Sequence, residues 1–271
     1  GIGLLRAEFM IAQIGVHPKK LIRDKKGDVF VNKLADGIGK ICKAFYPRPV
    51  LYRATDFKTN EYGSLTGGKE FEPSESNPML GYRGAFRYIH DPQVFKLELK
   101  AVKQVREKMN LNNLNLMIPF VRTVREFEEV KKIVSNEGLK RSHTFKLYMM
   151  VEIPSNVILI EDFINTGIDG VSIGSNDLTM LTLGIDRDNE EVSGEFDERN
   201  KALMWAYERV ITACRKNGVA VSICGQAPSL YPSLVEELVA WGITSVSVSP
   251  DAIDNTRRTV YSAEEHVVNR K

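Results

Sequence analysis

Cysteine is scarce in this chain. Its 271 residues include only three, Cys42, Cys214 and Cys224, and none of them stands in a CxxC pair. An odd set of cysteines without that spacing indicates neither a disulfide framework nor a zinc knuckle. This cysteine usage predicts a reducing, cytoplasmic environment.

Long apolar runs are also missing. No stretch approaches the roughly 18 residues that a membrane helix needs, and the best candidates end at Glu152 and Glu161. The N-terminus lacks a basic segment followed by an apolar one, so we expect neither membrane insertion nor export. The chain starts at Gly1 without an initiator methionine, which favours a fragment cut from a longer protein.

Neither sign of charge is in excess. Lys and Arg total 37 against 35 Asp and Glu, which leaves a formal net charge of +2. This balance gives no general electrostatic reason to bind nucleic acid, so any basic site must be local. With 43% hydrophobic residues, the chain can build a sizeable core, and its length suits one α/β barrel.

Short apolar runs alternate about eight times with amphipathic stretches of helix length, the pattern of a parallel α/β fold. The predicted strands are Ile2–Leu5, Pro49–Arg53, Met79–Arg83, Leu114–Ile118, Lys146–Val151, Gly170–Ile173, Val219–Ile223 and Ile243–Val248. The predicted helices are Val31–Phe45, Val94–Met109, Val124–Val134, Asn156–Ile164, Ala202–Lys216 and Leu230–Val239. Eight β/α steps predict a TIM-type (β/α)8 barrel that occupies residues 1–271 as a single domain.

Two polar insertions interrupt this alternation. Residues 60–78 follow the second predicted strand and are rich in glycine and proline, and residues 183–198 follow the sixth and are rich in acidic side chains. Long insertions of this kind are usually functional or mobile loops. Neither one resembles a domain boundary.

Arginines stand where three of the predicted strands end, at Arg6, Arg53 and Arg83. Catalytic groups of a β/α barrel lie at the C-terminal ends of its strands. Because the planar guanidinium matches phosphate and carboxylate oxygens, three such groups predict an anionic ligand. For any single arginine, a salt bridge to a neighbouring acid is the ordinary alternative.

Two carboxylates follow the fifth and sixth predicted strands. Glu152 comes directly after the fifth strand, and Asp177 closes the triplet Ser175-Asn176-Asp177 after the sixth. Two carboxylates at adjacent strand ends are able to hold one hard cation, as Mg²⁺ is usually held. Asp177 could instead cap a helix, whereas a buried Glu152 has fewer structural explanations.

Cys224 ends the seventh predicted strand, directly before Gly225. A free cysteine is most often a small buried core residue. Arginines and a metal nearby would lower the pKa of its thiol and make it a usable proton donor or acceptor. Both interpretations stay open at this point.

Several long motifs resemble the C-terminal barrel of the phosphoenolpyruvate synthase family, within the superfamily of enzymes that use phosphoenolpyruvate (PEP). The matching segments, in order, are residues 1–9, 53–62, 77–84, 152–156, 172–179 and 223–226, and the resemblance continues to about Pro250. The serine at 175, the run at 183–188 and the Cys-Gly-Gln at 224–226 favour the synthase branch over pyruvate phosphate dikinase and enzyme I of the sugar phosphotransferase system.

The resemblance implies a site for pyruvate and phosphoenolpyruvate that uses Mg²⁺. A phosphohistidine on another domain would exchange its phosphoryl group with pyruvate enolate. Whole enzymes of the family convert ATP, pyruvate and water to AMP, phosphoenolpyruvate and phosphate. The phosphohistidine and ATP-binding domains of a full-length enzyme would be the partners of this chain, and a homodimer is expected. An enzyme I-like phosphotransferase and a non-catalytic PEP-binding or dimerisation module are the alternatives.

The resemblance also implies a role for each candidate residue. Two carboxylates would hold Mg²⁺ and contact the substrate, two arginines would bind the transferring phosphoryl group, and further groups would fix the substrate. The carboxylates are Glu152 and Asp177, and the arginines that bind the phosphoryl group are Arg6 and Arg53. The groups that fix the substrate are Arg83, Asn176 and the backbone N–H groups of Gly174, Ser175, Asn176 and Asp177. Cys224 would exchange the proton at the methylene carbon.

Overall fold

The computed structural model describes residues 1–269. Its backbone contacts separate the chain into two compact units, Gly1–Leu147 and Tyr148–Lys271. In the described residues no helix combines the length and the apolar character that crossing a membrane requires.

The first unit contains three parallel strands, β1 (Ile2–Arg6), β2 (Val50–Arg53) and β3 (Leu114–Ile118). β1 pairs with β2, and β2 pairs with β3. All five residues of β3 are buried, as is typical of a parallel strand covered on both faces. The helices of this unit are α1 (Ala7–Ile14), α2 (Pro18–Arg23), α3 (Gly27–Phe45), α4 (Thr59–Gly63), α5 (Gly84–His90), α6 (Pro92–Glu107) and α7 (Val124–Asn136).

The two long helices of this unit, α3 and α6, pack against each other. Phe30, Leu34 and Ile38 recur every four residues along α3, and all three are fully buried. That spacing places them on one face of the helix, which faces the core. The sequence periodicity therefore predicted this helix correctly, although it begins four residues earlier than expected, at Gly27.

The second unit contains β4 (Leu147–Val151), whose first residue belongs to the first unit, followed by β5 (Gly170–Gly174), β6 (Ala220–Cys224) and β7 (Ser245–Val246). These strands pair in parallel in that order. The helices are α8 (Pro154–Ile158), α9 (Ile160–Asn165), α10 (Ser175–Leu183), α11 (Lys201–Lys216), α12 (Ala227–Leu230), α13 (Pro232–Trp241) and α14 (Ile253–Asn269). Short 3₁₀ turns lie at Gly68–Glu70, Ser193–Glu195 and Pro250–Ala252.

Parallel strands in sequence order, from β1 to β7, with helices between them confirm the predicted TIM-type α/β class. The described residues contain seven strands instead of eight, because the predicted strand Met79–Arg83 is wrong. In this segment the N–H of Leu80 donates to the carbonyl of Asn77, and the N–H of Gly81 donates to that of Pro78. Proline and glycine favour such turns over a strand, and the side chain of Leu80 is 57% exposed.

The first polar insertion, residues 60–78, is held by buried ion pairs inside the first unit. Glu72 accepts two hydrogen bonds from Arg87, both at 2.7 Å, and its Oε1 lies 2.9 Å from His17 Nε2. The carboxylate of Glu75 accepts from the Thr59 hydroxyl and from the Tyr82 N–H. These contacts fix a segment that composition alone predicted only as a loop.

Candidate functional site

Two of the predicted anion-binding arginines end neighbouring strands of the first unit. Arg6 and Arg53 stand opposite each other in the register of β1 and β2. The guanidinium of Arg6 lies over the ring of Phe9, 4.6 Å from its centroid. Arg53 Nη2 lies 3.0 Å from Glu8 Oε2, and the other oxygen of Glu8 accepts the N–H of Asp56. Glu8 thus orients one guanidinium and anchors the turn that follows β2.

Arg83 lies in a different place from the predicted one. It stands directly before α5 instead of at a strand end, and it is 5% exposed. Its Nε donates to Asp56 Oδ1 at 3.0 Å and its Nη2 donates to Asp56 Oδ2. The guanidinium also lies over the ring of Phe120, 3.9 Å from its centroid. The ordinary alternative for a single arginine, a neighbouring acid, is therefore present beside both Arg53 and Arg83.

A buried carboxylate that sequence reasoning missed lies beneath this turn. Glu98 Oε2 accepts from the Tyr52 hydroxyl at 2.8 Å and from the Thr55 N–H at 3.0 Å. Burial raises the pKa of Glu98 to about 7, against the opposing effect of these hydrogen bonds. Its position in the apolar stripe of α6, four residues from both Val94 and Val102, was a signal for it.

The carboxylate pair predicted for a cation comes together in the second unit. Glu152 follows β4 and is 2% exposed, and one of its oxygens lies within 4.8 Å of an oxygen of Asp177. Two close carboxylate oxygens are a donor set that suits hard divalent cations. Asp177 is not the N-cap residue of α10, because this helix begins at Ser175 with Gly174 at the N-cap position.

The first turn of α10 lies beside this carboxylate pair. The backbone N–H groups of Ser175, Asn176 and Asp177 belong to that turn, where a helix has no internal acceptors for them. Gly174 leaves room for Glu152, since a β-carbon at 174 would stand 2.8 Å from Glu152 Oε2. The helix start therefore presents donors and a partial positive charge next to two carboxylates.

Cys224 ends β6 directly opposite Gly174 in β5. Its side chain is 4% exposed, and its Sγ lies 3.5 Å from Ser172 Oγ and 3.5 Å from the Ile173 carbonyl oxygen. The other two cysteines lie inside helices, where burial raises the pKa of Cys42 to about 11 and that of Cys214 to about 12. Cys224 is the cysteine whose strand ends beside the start of α10.

A second missed carboxylate, Glu198, lies behind the start of α10. It closes the acidic insertion, and it is 3% exposed. One terminal atom of the Asn176 side-chain amide lies 3.2 Å from Glu198 Oε1, and the other lies 3.2 Å from Arg187 Nη1. Because a carboxylate accepts and a guanidinium donates, we assign the amide nitrogen to the Glu198 side and the amide oxygen to the Arg187 side. The composition of the insertion does not distinguish Glu198 from the other acidic residues in it. The location of the insertion after β5, at the strand end where barrel enzymes carry their sites, did indicate that the segment is functional.

Comparison with known proteins identifies the family of this chain. The model of the family described as "PEP-utilising enzyme, PEP-binding domain" matches residues 1–265, and the chain belongs to that family. A probable phosphoenolpyruvate synthase of Staphylothermus marinus is 50% identical over 99% of this chain and 33% of its own length. The phosphoenolpyruvate synthase of Aeropyrum pernix is likewise 50% identical over 99% of this chain and 33% of its own length.

The chain thus spans about a third of the length of these curated relatives. Among solved structures, RipC from Yersinia pestis is similar at a TM-score of 0.43 and 13% identity, over 60% of this chain and 71% of that one. A likeness of that size is too low to inform the fold.

Proposed function

We propose that this chain binds phosphoenolpyruvate and pyruvate together with a divalent cation, and that it transfers a phosphoryl group between a phosphohistidine and pyruvate enolate. The observation that carries the proposal is the pairing of Glu152 and Asp177 at the start of α10, in a chain of the PEP-binding family. The two relatives described above are named as synthases of phosphoenolpyruvate, which favours pyruvate as the phosphoryl acceptor over an enzyme I-type partner.

Glu152 and Asp177 would hold the cation, Mg²⁺ by preference, since both offer oxygen ligands. When bound, the cation supplies a Lewis acid that stabilises negative charge on the enolate oxygen, an effect worth several kcal/mol. Glu152 is oriented by its surroundings, because its own N–H and that of Ile153 both donate to Asn156 Oδ1.

The remaining polar groups would bind and orient the substrate. Arg6 and Arg53 would bind the transferring phosphoryl group, where positioning and charge stabilisation account for most of the catalysis. The Asn176 amide and the N–H groups of residues 174–177 would donate to the substrate carboxylate, and Arg83 would fix the substrate from its pair with Asp56.

Cys224 would move the proton at the methylene carbon. In the direction of pyruvate, its thiol would donate a proton to the enolate carbon, and in the reverse direction the thiolate would accept one from the methyl group. The position of its Sγ, within 3.5 Å of Ser172 Oγ on the neighbouring strand, supports a fixed thiol orientation.

The phosphohistidine and the ATP-binding site would belong to further domains of a longer enzyme that, as a whole, converts ATP, pyruvate and water to AMP, phosphoenolpyruvate and phosphate. The length of the relatives, about three times that of this chain, supports this part of the proposal. A cytoplasmic homodimer is the form that we expect for such an enzyme.

The test is phosphoryl transfer from a purified, ³²P-labelled phosphohistidine domain to pyruvate in the presence of Mg²⁺ and this chain. Label in phosphoenolpyruvate supports the proposal, and Asp177→Asn should abolish it. Binding of phosphoenolpyruvate without any transfer would identify a binding module instead. Absence of both binding and transfer would overturn the proposal altogether.

A further inference from the structure

Glu198 connects three segments of the second unit. Its carboxylate accepts from the Asn176 amide, and it also faces the Ser175 hydroxyl and the backbone N–H of Ala227. Its backbone carbonyl accepts from the Tyr207 hydroxyl of α11 at 3.1 Å. The end of the acidic insertion is thereby tied to the turns after β5 and β6.

A charged side chain in this position has a cost, because a buried carboxylate loses its hydration. Burial raises the pKa of Glu198, while the hydrogen bonds and Arg187 act in the opposite direction. The hydrogen bonds and the charge of Arg187 thus offset part of the cost of burying the Glu198 carboxylate. The groups that donate these hydrogen bonds lie at the start of α10 and after β6, next to the proposed ligand-binding residues.

The contacts of Glu198 and Arg187 fix which way the Asn176 amide points. A carboxylate only accepts and a guanidinium only donates, so the amide nitrogen must face Glu198 and the amide oxygen must face Arg187. An amide carries two N–H donors and an oxygen with two lone pairs. One donor and one lone pair of Asn176 therefore keep a defined direction for a ligand.

Ser175 is held at the same point. Its Oγ lies 3.0 Å from the Cys224 carbonyl oxygen and also faces Glu198, so its single hydroxyl hydrogen can serve one of these acceptors at a time. A β-carbon at Gly225, where φ is +115°, would stand only 2.1 Å from Ser175 Oγ. The turn after β6 thus encloses Ser175 against Glu198.

We propose that Glu198 is a positioning residue, which acts with Arg187 to orient the Asn176 amide toward phosphoenolpyruvate or pyruvate. Its part in ligand binding rests on the proposed function, whereas its hold on Asn176 does not. In Glu198→Gln the new amide can present either a donor or an acceptor, so the direction of the Asn176 amide is no longer imposed.

The first measurement is NMR of the Asn176 side-chain amide in the ¹⁵N-labelled full chain, assigned with Asn176→Ala. We expect Glu198→Gln to shift these signals and to speed their exchange with water, whereas Glu195→Gln, an exposed acid of the same insertion, leaves them unchanged. Unchanged Asn176 signals in Glu198→Gln would overturn the proposal. Should that variant not fold, Arg187→Met removes the donor to the Asn176 amide oxygen instead. Shifted Asn176 signals in this variant would support the proposal, and unchanged signals would overturn it.

The second measurement separates Mn²⁺ binding from phosphoenolpyruvate binding, by electron paramagnetic resonance and by calorimetry at saturating Mn²⁺. We expect Glu198→Gln to weaken phosphoenolpyruvate binding about tenfold, as for one lost hydrogen bond to a charged group, with Mn²⁺ affinity unchanged. In the Asn176→Ala background the same change should have no further effect, because the residue through which it acts is gone. Additive losses, or a parallel loss of Mn²⁺ affinity, would refute the positioning role. Failure of the unaltered chain to bind phosphoenolpyruvate would refute the proposed function and leave the NMR result to decide on Glu198.

Discussion

Gly174 lies against Glu152 so closely that no larger side chain fits between them. A β-carbon at position 174 would stand 2.8 Å from Glu152 Oε2 and 3.0 Å from Glu152 Cβ. We expect Gly174→Ala to push the carboxylate away from Asp177 and to weaken Mn²⁺ binding at least tenfold, because a cation site requires both ligands in place. Titration of the chain with Mn²⁺ by electron paramagnetic resonance measures this loss.

Gly194→Ala is the matched control for that experiment. A β-carbon at Gly194 would meet nothing within 4 Å. We therefore expect this variant to bind Mn²⁺ as the unaltered chain does. If Gly174→Ala bound Mn²⁺ with the same affinity as the unaltered chain, the carboxylates at the start of α10 would not form the cation site.

Cys224→Ala should separate binding from turnover. A positioned acid or base typically contributes about 10² to 10⁴ in rate, so label transfer to pyruvate should fall by that factor while phosphoenolpyruvate affinity is kept. Cys214→Ala removes a thiol that is also buried but lies inside α11. Its transfer rate should stay within about twofold of the unaltered chain, and full activity in Cys224→Ala would exclude the proton-transfer role.

Glu72 should make the first unit sensitive to acid. Burial alone would raise the pKa of this carboxyl, but the hydrogen bonds from His17 and Arg87 outweigh it and hold the pKa below its usual value of 4.5. A lowered pKa in the folded state stabilises the fold above the unfolded value, and this contribution is lost as the pH falls below about 4.5. Glu72→Gln should abolish that dependence.

The same substitution should also destabilise the chain near neutral pH. It leaves the buried guanidinium of Arg87 without a charged partner, which costs about 3 kcal/mol. Glu70→Gln, which breaks the exposed pair with Arg23, should cost far less, because solvent screens an exposed ion pair. Urea unfolding at pH 7 measures both, and similar losses in the two variants would contradict the anchoring role of Glu72.

Glu98 should have the opposite dependence on pH. Because burial raises its pKa from 4.5 to about 7, the folded state holds a proton that the unfolded chain has already released. Stability should therefore fall as the pH rises from about 4.5 to 7, by up to about 3 kcal/mol. Glu98→Gln cannot ionise and should lack this fall, whereas Glu107→Gln, on the exposed end of α6, should keep it. Unfolding curves at pH 5 and pH 8 distinguish the two variants.

Sequence periodicity predicted most of the fold because apolar runs report burial directly. The strand at Leu114–Ile118 matches the prediction residue for residue, since all five of its side chains are buried. Met79–Arg83 failed because Gly81 lies within it and Pro78 and Gly84 flank it, and these residues favour turns. The predicted helix 156–164 is divided near Leu159 into α8 and α9.

The sequence predicted the candidate residues of the second unit better than it predicted the buried carboxylates that support the two units. Glu152 directly follows a buried strand, Asp177 lies in the first turn of the helix after the next strand, and Cys224 is the last residue of its strand, so strand ends alone predict all three positions. Glu98 and Glu198 contribute through contacts that depend on how helices and loops pack. The apolar stripe of α6 marks Glu98 as buried, but the groups that contact Glu98 and Glu198 are far away in the chain, and no local pattern identifies them.

In the second unit, Val151 pairs with Ile173 and Gly174 pairs with Cys224 in the register of the parallel strands. This register fixes the distance between the ends of β4 and β6. The backbones that carry the carboxylate and the thiol are two strand spacings apart, roughly 10 Å. Hydrogen bonds between strands set this width, so exchanging side chains cannot stretch it. A ligand that contacts both Glu152 and Cys224 must therefore fit a distance that the backbone sets.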